Sequence, residues 1–210
     1  MNIPEFELYG WNTPNGQKII IALEEAHANY SYKPVDISAG EQHTKEFRAL
    51  SPDGKIPALI HNGASRITLF ESGAILLFLA NRFPQLNGVT ETERAQVMSW
   101  TFWQVGQLGP LTGQFGRFKG ASPSNHNAIE HFESLVWRCL KVMNTRLENS
   151  DYLAGTSFTI ADMACYPWIA SQQSYLQIYG LDWRSQCPAI ARWVEDIASR
   201  PSVNKTQQPA

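Results

Sequence analysis

Residues 56–70, "IPALIHNGASRITLF", decide the fold of the first half of the chain. Two short apolar runs, 56–62 and 65–70, meet at Asn62-Gly63. An Asn-Gly pair between apolar runs is typical of the turn in a β-hairpin. The stretch therefore predicts two adjacent antiparallel strands.

Strands and helices alternate on the amino-terminal side of this hairpin. The patterns predict a strand at 6–10, a helix at 15–28, a strand at 30–38, a short amphipathic helix at 41–50 and, after the hairpin, an apolar helix at 71–83. Alternation of this kind favours parallel pairing of the first strands. The order β-α-β-α-β-β-α is the layout of a thioredoxin-like domain, which we expect to occupy residues 1–84.

The second half has almost no strand signals. After a polar bridge at 84–93, helical patterns appear at 92–109, 127–148, 159–171 and 188–200. The longest of these predicts one apolar stripe, made of Ile129, Phe132, Leu135, Cys139, Val142 and Met143. The expected fold class is α/β plus all-α, with an all-helical carboxy-terminal domain from 91 to 210.

Composition excludes several functional classes. The 210 residues are 43% hydrophobic with a formal charge of −2, and no Lys/Arg cluster occurs, which argues against a nucleic-acid partner. No signal-peptide pattern opens the chain, and "AILLFLA" is too short to span a bilayer. Three widely spaced cysteines predict reduced thiols in a cytoplasmic protein, and the histidines lack metal-ligand spacing.

Two segments are candidates for binding a small peptide-like ligand. Pro57, at a strand start, removes a ladder donor and would leave the amide and carbonyl of Ile56 unpaired, unless it is an ordinary edge-strand proline. Ser72 opens a helix, whose free N–H groups attract a carboxylate, and Glu71 before it suits an ammonium group. Plain capping by Ser72 is the alternative.

The segment "FTIADMA" has the pattern of a structural motif. Thr159 is followed three residues later by Asp162, which is the spacing of a capping box. We expect these two residues to stabilise a helix start and to have no catalytic role.

Together, "SPDGKIPAL", "ESGAI" and "FTIADMA" resemble the soluble glutathione transferase family over nearly the whole chain. Within it, "TPNGQKI" and "WTFWQVGQLGP" are most similar to the bacterial nu-class members, which also resemble a yeast nitrogen regulator. The resemblance implies glutathione, as GSH or its disulfide, as bound co-substrate and no metal. It also implies site residues: Ile56 for the cysteinyl part, Glu71 and Ser72 for the γ-glutamyl group, and Gln42 and Lys55 for the glycine end.

The resemblance further implies a homodimer. In nu-class members the partner subunit sends an arginine toward the site, and the nearest position here is His131. The acceptor pocket is expected from residues 102–118 and 166–180.

The stretch "TPNG", residues 13–16, stands where the sulfur of such a glutathione would lie. A redox protein of similar layout would have its own cysteine here, so the nucleophile must come with the ligand. The Thr13 hydroxyl and the Asn15 amide, at a helix start, are the candidate catalytic groups because donors there lower the pKa of a thiol. Asn15 is also a candidate glutathione ligand. Helix capping is the alternative role for these residues, and Tyr9 is the second candidate donor.

The resulting hypothesis is glutathione-dependent reduction of small disulfides, with weaker transferase or peroxidase activity. Conjugation of electrophiles and a non-catalytic, glutathione-binding regulatory role are the alternatives.

Overall fold

A four-stranded mixed sheet forms the first part of the computed structural model, which describes residues 3–206. Its strands are β1 (Phe6–Gly10), β2 (Tyr30–Pro34), β3 (Ala58–Asn62) and β4 (Arg66–Phe70), in the spatial order β2-β1-β3-β4. β1 pairs in parallel with β2, whereas β3 is antiparallel to both β1 and β4. The hairpin at 56–70 and the parallel first pair are both confirmed.

Helices α1 (Pro14–Glu25) and α3 (Ser72–Arg82) pack against each other beside this sheet. Their inward faces are fully buried, through Ile19 and Leu23 on α1 and Ile75, Leu76 and Leu79 on α3. The apolar residues of α1 and α3 therefore face the same core.

The segment between β2 and β3 differs from its prediction. β2 ends at Pro34 rather than at 38, because the Asp36 side chain accepts hydrogen bonds from the amides of Ser38 and Ala39 and forms a turn. The predicted helix at 41–50 is a 3₁₀ turn (Glu41–His43) followed by α2 (Lys45–Arg48). Thr44 separates them, with an extended backbone (ψ 152°) and a side chain that caps α2.

From residue 91 onward the regular elements are helical, apart from an isolated bridge between Tyr152 and Gly155. They are α4 (Glu91–Trp103), a π-helical segment (Gln104–Leu108), α5 (Gly109–Lys119), α6 (His126–Leu147), α7 (Ile160–Ala170), α8 (Tyr175–Ile178), α9 (Pro188–Ala198) and α10 (Pro201–Lys205). None of the helices within residues 3–206 has the length and apolar character needed to cross a membrane.

The apolar stripe of α6 is only partly as predicted. Cys139 and Met143 are buried, but Val142 is 44% exposed. The buried face continues instead through Val136, Leu140 and Leu147, which together with Met143 are spaced by three or four residues. Val142 was placed wrongly because it precedes this face by one position.

The capping pattern of "FTIADMA" lies in the middle of the helical region. Thr159 and Asp162 form a capping box at the start of α7. Asp162, fully buried, also accepts hydrogen bonds from the backbone N–H of Leu153 (2.9 Å) and from Nε1 of Trp193 (2.9 Å). The Asp162 carboxyl therefore joins the start of α7 to α9 and to the loop that precedes α7.

Candidate functional site

Two adjoining cavities open beside the start of α1. The first has a volume of about 480 Å³ and the second about 400 Å³. Asn15, Lys55 and Trp168 line both of them. Concave sites of this size with a few convergent polar groups are typical of small-molecule binding.

Every sequence-predicted glutathione residue lines one cavity or both. Thr13, Gln42 and Ile56 border the first cavity, in addition to the shared residues. Glu71 and Ser72 border the second. The predicted residues, which come from four separate parts of the chain, thus meet in one place.

The start of α1 presents Thr13 to the first cavity. Thr13 is the N-cap residue, and its Oγ1 accepts a hydrogen bond from the N–H of Gly16 (3.2 Å). Since a hydroxyl both accepts and donates, the hydrogen of Thr13 stays available to a ligand. A Cβ at Gly16 would collide with the carbonyl oxygen of Trp11, so the tight turn requires glycine there.

Asn15 is held by a residue from the helical region. Nε1 of Trp168 donates to Oδ1 of Asn15 at 3.1 Å. An indole N–H can only donate, so this contact fixes which way the amide faces. The two hydrogens of the Asn15 NH₂ group are left for a ligand.

The loop before β3 presents the backbone of Ile56. The Ile56–Pro57 peptide bond is cis. Within residues 3–206, neither the N–H nor the carbonyl of Ile56 has a backbone hydrogen-bond partner. The Ser51 hydroxyl, which donates to the Lys55 carbonyl at 2.8 Å, holds the loop in place.

Ser72 is the first residue of α3 and is buried, while the exposed Glu71 precedes it. Glu71 has a positive φ of 69°, which is unusual for a residue with a side chain. The helix N-terminus, with its unsatisfied N–H groups, therefore lies at the wall of the second cavity.

Gln42 and Lys55 lie at the rim. Nε2 of Gln42 donates to the Ile37 carbonyl (3.3 Å), and its buried Oε1 has no partner among the described residues. Lys55 is largely exposed and pairs with Asp53 at 2.5 Å, and this hydrogen bond raises the pKa of Lys55. A cation at the rim suits a ligand carboxylate.

Tyr9 and His131 lie apart from both cavities. The Tyr9 hydroxyl donates to the Glu7 carboxylate (3.4 Å) and faces a different groove beside β2 and α2. Burial, reinforced by Glu7, raises the pKa of Tyr9. His131 is an exposed residue of α6.

Sequence reasoning missed two buried polar residues at the second cavity, Lys18 and Gln104. Lys18 comes four residues after Pro14 and one before the buried Ile19. A charged residue on the apolar face of a helix is the signal that would have identified it. The segments 102–118 and 166–180 do contribute lining residues, including Gln104 and Trp168.

Residues 4–81 match the family model of the glutathione S-transferase N-terminal domain, and residues 127–196 match that of its C-terminal domain. Disulfide-bond oxidoreductase YfcG of Escherichia coli (strain K12) is 41% identical over 207 residues, covering 95% of this chain and 93% of YfcG. The chain belongs to the glutathione transferase family. Its thioredoxin-like sheet domain followed by a helical region is the architecture of this family.

Solved structures of other glutathione transferases share this fold. One from Burkholderia graminis, with two glutathione molecules bound per subunit, superposes with a TM-score of 0.91 at 32% identity and covers 97% of this chain and 87% of its own. One from Pseudomonas putida, with one glutathione disulfide bound per subunit, has a TM-score of 0.89 at 30% identity, covering 98% and 91%. This transferase thus retains the family fold along nearly its whole length.

Proposed function

We propose that this transferase binds glutathione in the two cavities and uses the thiolate of that glutathione to reduce small disulfides. The observation that supports it most directly is the pair of donors at the start of α1, one of them fixed by Trp168. The three cysteines are buried elsewhere, and none lines either cavity. The nucleophilic sulfur therefore comes with the ligand.

The proposed orientation follows the polar groups of the cavities. The N-terminus of α3 and Ser72 receive the γ-glutamyl carboxylate, and Glu71 receives the ammonium group. The free backbone groups of Ile56 pair with the cysteinyl residue, while Gln42 and Lys55 receive the glycine carboxylate. The solved relatives with two glutathione molecules, or with their disulfide, support two adjoining subsites.

The start of α1 activates the thiol. A free thiol has a pKa near 8.5, so only a few per cent is thiolate at neutral pH. The Thr13 hydroxyl, the Asn15 NH₂ group and the positive end of the helix dipole all stabilise the anion more than the thiol.

The proposed reaction is a thiol–disulfide exchange in two steps. The first glutathione loses its proton, its thiolate attacks one sulfur of the substrate RSSR, and the S–S bond breaks to give GSSR and RS⁻. A second glutathione thiolate attacks GSSR and releases GSSG and the second RS⁻. Both RS⁻ groups take up protons, so two GSH and one RSSR become one GSSG and two RSH.

We further infer a cytoplasmic homodimer. The free, buried thiols fit a reducing compartment, and membership of the family supports the dimer. The exposed His131 on α6 has the position nearest to the arginine that, by resemblance to nu-class members, one subunit would send toward the site of the other. Sedimentation analysis of the purified protein tests the dimer.

The decisive experiment measures the pH dependence of kcat/KM for a small disulfide in the wild type, Thr13→Ala and Asn15→Ala. Each variant removes one hydrogen bond to a charged sulfur, worth about 1.5–3 kcal/mol, so we expect a loss of about tenfold to a hundredfold at neutral pH. The apparent pKa of the thiol should rise, and the rate should recover toward the wild-type value at high pH.

Two substitutions separate activation from helix capping. Thr13→Asp keeps an N-cap acceptor for the N–H of Gly16 but has no hydrogen to donate to the sulfur and adds a negative charge, so it should lose activity although the helix stays capped. Asn15→Asp keeps an acceptor for Trp168 but replaces the NH₂ donors with a negative charge, so it should lose activity as Asn15→Ala does. Equal rates in the wild type, Thr13→Ala and Asn15→Ala would remove both residues from the mechanism. A wild type that binds glutathione yet reduces no small disulfide would overturn the proposed reaction.

A further inference from the structure

Lys18 is a buried cation at the floor of the second cavity. Its side chain is 1% exposed, and it lies one turn after Pro14 on α1. Its Nζ donates to Oγ of Ser72 (3.2 Å) and to Oε1 of Gln104. Across residues 3–206, no carboxylate lies within ion-pair distance of it.

A buried ammonium with only neutral partners is poorly stabilised. Burial lowers the pKa of Lys18 to about 7. Two titratable groups face it and raise that pKa by less: the thiol of Cys165 on α7 and the carboxylate of Glu71 before α3. The π-helical segment contributes only the neutral Gln104, and α7 adds the Trp168 ring at 5.9 Å from Nζ. Among the described residues Lys18 therefore has no ion-pair partner, and Glu71 acts on it only from beyond ion-pair distance.

The hydrogen bond from Lys18 determines that the Ser72 oxygen acts as an acceptor. Because its oxygen accepts from Lys18, its hydrogen is free to donate elsewhere. Nε2 of Gln104 is also buried without a partner among the described residues. The floor of the cavity thus holds two donor groups that are available to a ligand, the Ser72 hydroxyl and Nε2 of Gln104. It also holds the Lys18 ammonium, which has no ion-pair partner among the described residues.

We propose that Lys18 is a positioning residue for glutathione, which acts through the Ser72 hydroxyl to bind the γ-glutamyl carboxylate. The inference rests on the proposed binding of glutathione in these cavities. The ammonium strengthens the Ser72 hydroxyl as a donor, and the carboxylate supplies the missing counter-charge. Ligand and lysine therefore stabilise each other.

The consequence is proton uptake on binding. With a pKa of about 7 in the free protein, about half of the Lys18 side chains are neutral at pH 7. A bound carboxylate raises the pKa, so about half a proton is taken up per ligand at that pH. The uptake should disappear near pH 5, where Lys18 is already protonated.

The test is titration calorimetry with S-methylglutathione in two buffers of different ionisation enthalpy. This ligand has no thiol, so the proton count reports groups other than the reacting sulfur. We expect about half a proton taken up by the wild type at pH 7 and none by Lys18→Met. Lys18→Met should bind about tenfold more weakly. Its midpoint of urea unfolding should equal or exceed that of the wild type, because an apolar side chain replaces a buried charge.

A second ligand completes a double-mutant cycle. In it the γ-glutamyl α-carboxylate of S-methylglutathione is replaced by a carboxamide. The wild type should bind the carboxamide more weakly than S-methylglutathione and without proton uptake. The difference in affinity between the two ligands should be smaller in Lys18→Met than in the wild type, because in the variant only Ser72 and the N–H groups of α3 remain to favour the carboxylate. Lys141→Met, which removes an exposed lysine of α6, should behave as the wild type.

The outcomes distinguish the two proposals. No binding of S-methylglutathione by the wild type overturns the proposed function and the inference with it. Binding without proton uptake at pH 7, or equal affinities of the wild type and Lys18→Met, overturns the role of Lys18 alone. If Lys18→Met does not fold, the wild-type comparison of the two ligands still decides, since equal proton uptake with both would refute the inference.

Discussion

Glu71 has a backbone conformation that only glycine adopts without cost. Its φ of 69° with ψ of 114° lies outside the regions favoured by residues with a Cβ. Such positions persist at binding sites when the surrounding structure imposes them, at a cost on the order of 1–3 kcal/mol. Here the strained residue directly precedes the buried Ser72 at the second cavity.

Replacing Glu71 with glycine should therefore separate stability from binding. Glu71→Gly removes the strain, so we expect the free energy of unfolding to stay equal or rise by about 1 kcal/mol, while affinity for glutathione falls at least tenfold. Urea unfolding and calorimetry measure the two quantities. The control is Ala74→Gly, three residues further into α3, which should cost about 1 kcal/mol because its backbone is ordinary helix. A Glu71→Gly protein that binds as the wild type does would contradict the assigned contact.

Single residues of the candidate site could be predicted where the residue type is unusual for its position in a helix or strand. A polar Thr-Pro-Asn-Gly turn in place of a cysteine indicated residues 13–16, and Pro57 indicated its neighbour Ile56. The contact between Asn15 and Trp168 joins residues 153 positions apart, so no local pattern could reveal it. Lys18 was hidden because its neighbours at 19–23 read as a uniformly apolar run.

Two capping boxes start helices in very different surroundings. Thr90 and Glu93 form one at the exposed start of α4, whereas Thr159 and Asp162 form one in the core. Burial raises the pKa of Asp162 to about 6, although its hydrogen-bond donors, among them Leu153 and Trp193, oppose that shift. The same local pattern therefore has a different energetic weight in the two places.

Truncating the acidic member of each box should show this difference. Asp162→Ala leaves the Trp193 indole and the Leu153 N–H without a partner in the core, so we expect a loss of about 3 kcal/mol. Glu93→Ala, which removes a partly exposed residue at the start of α4, should cost clearly less than Asp162→Ala. Urea denaturation of both variants measures the loss in the free energy of unfolding. Similar losses would show that burial does not increase the stabilisation by the capping box.

A related expectation concerns pH. Asp162 has a folded pKa above the usual 3.8, so the native state holds a proton that the unfolded chain has released between about pH 4 and 6. Its contribution to stability is therefore greatest below pH 4 and declines as pH rises through about 6. Stability curves of the wild type and Asp162→Asn should differ in slope within this window, and parallel curves would refute the assignment.

The ends of helices and strands with strong apolar periodicity were predicted to within a few residues. The ends of elements that are set by side-chain hydrogen bonds in turns were not. Both strands of the hairpin and helices α1 and α3 have clear apolar repeats. The region 35–50 is shaped by hydrogen bonds that the side chains of Asp36 and Thr44 accept from nearby backbone N–H groups, and no apolar repeat predicts these bonds. The buried face of α6 was displaced at Val142 because neighbouring apolar residues left its angle ambiguous.

One half-buried ion pair ties the end of α1 to the last helices among the described residues. Arg200 makes two hydrogen bonds to the Glu25 carboxylate (2.8 and 2.7 Å), and Ser202 adds a third (2.6 Å). Burial pushes the pKa of Glu25 upward, but the hydrogen bonds from Arg200 and Ser202 outweigh it, so the pKa lies below the usual 4.5.

Glu25→Gln should therefore destabilise the whole molecule in a pH-dependent way. The glutamate contribution is fully present above the unfolded pKa near 4.5 and is lost as pH falls through the lower folded value. We expect a loss of about 2 kcal/mol at pH 7 and a smaller gap between variant and wild type near pH 3. Asp151→Asn, which breaks an exposed pair with Arg192, should cost less than about 0.5 kcal/mol. Chemical denaturation at both pH values is the measurement, and a gap that does not change with pH would exclude the ion pair as its cause.

In the proposed mechanism, the hydrogen bond from Trp168 to Asn15 couples the pKa of the glutathione thiol to the structure of the acceptor pocket. A substitution that rotates this indole to admit a bulkier acceptor would then also release the Asn15 amide that we propose faces the thiolate. A change at Trp168 that widens the range of acceptor substrates would therefore weaken the nucleophile at the same time. Chimeras that exchange the helical region between relatives should inherit altered thiol ionisation together with altered acceptor preference.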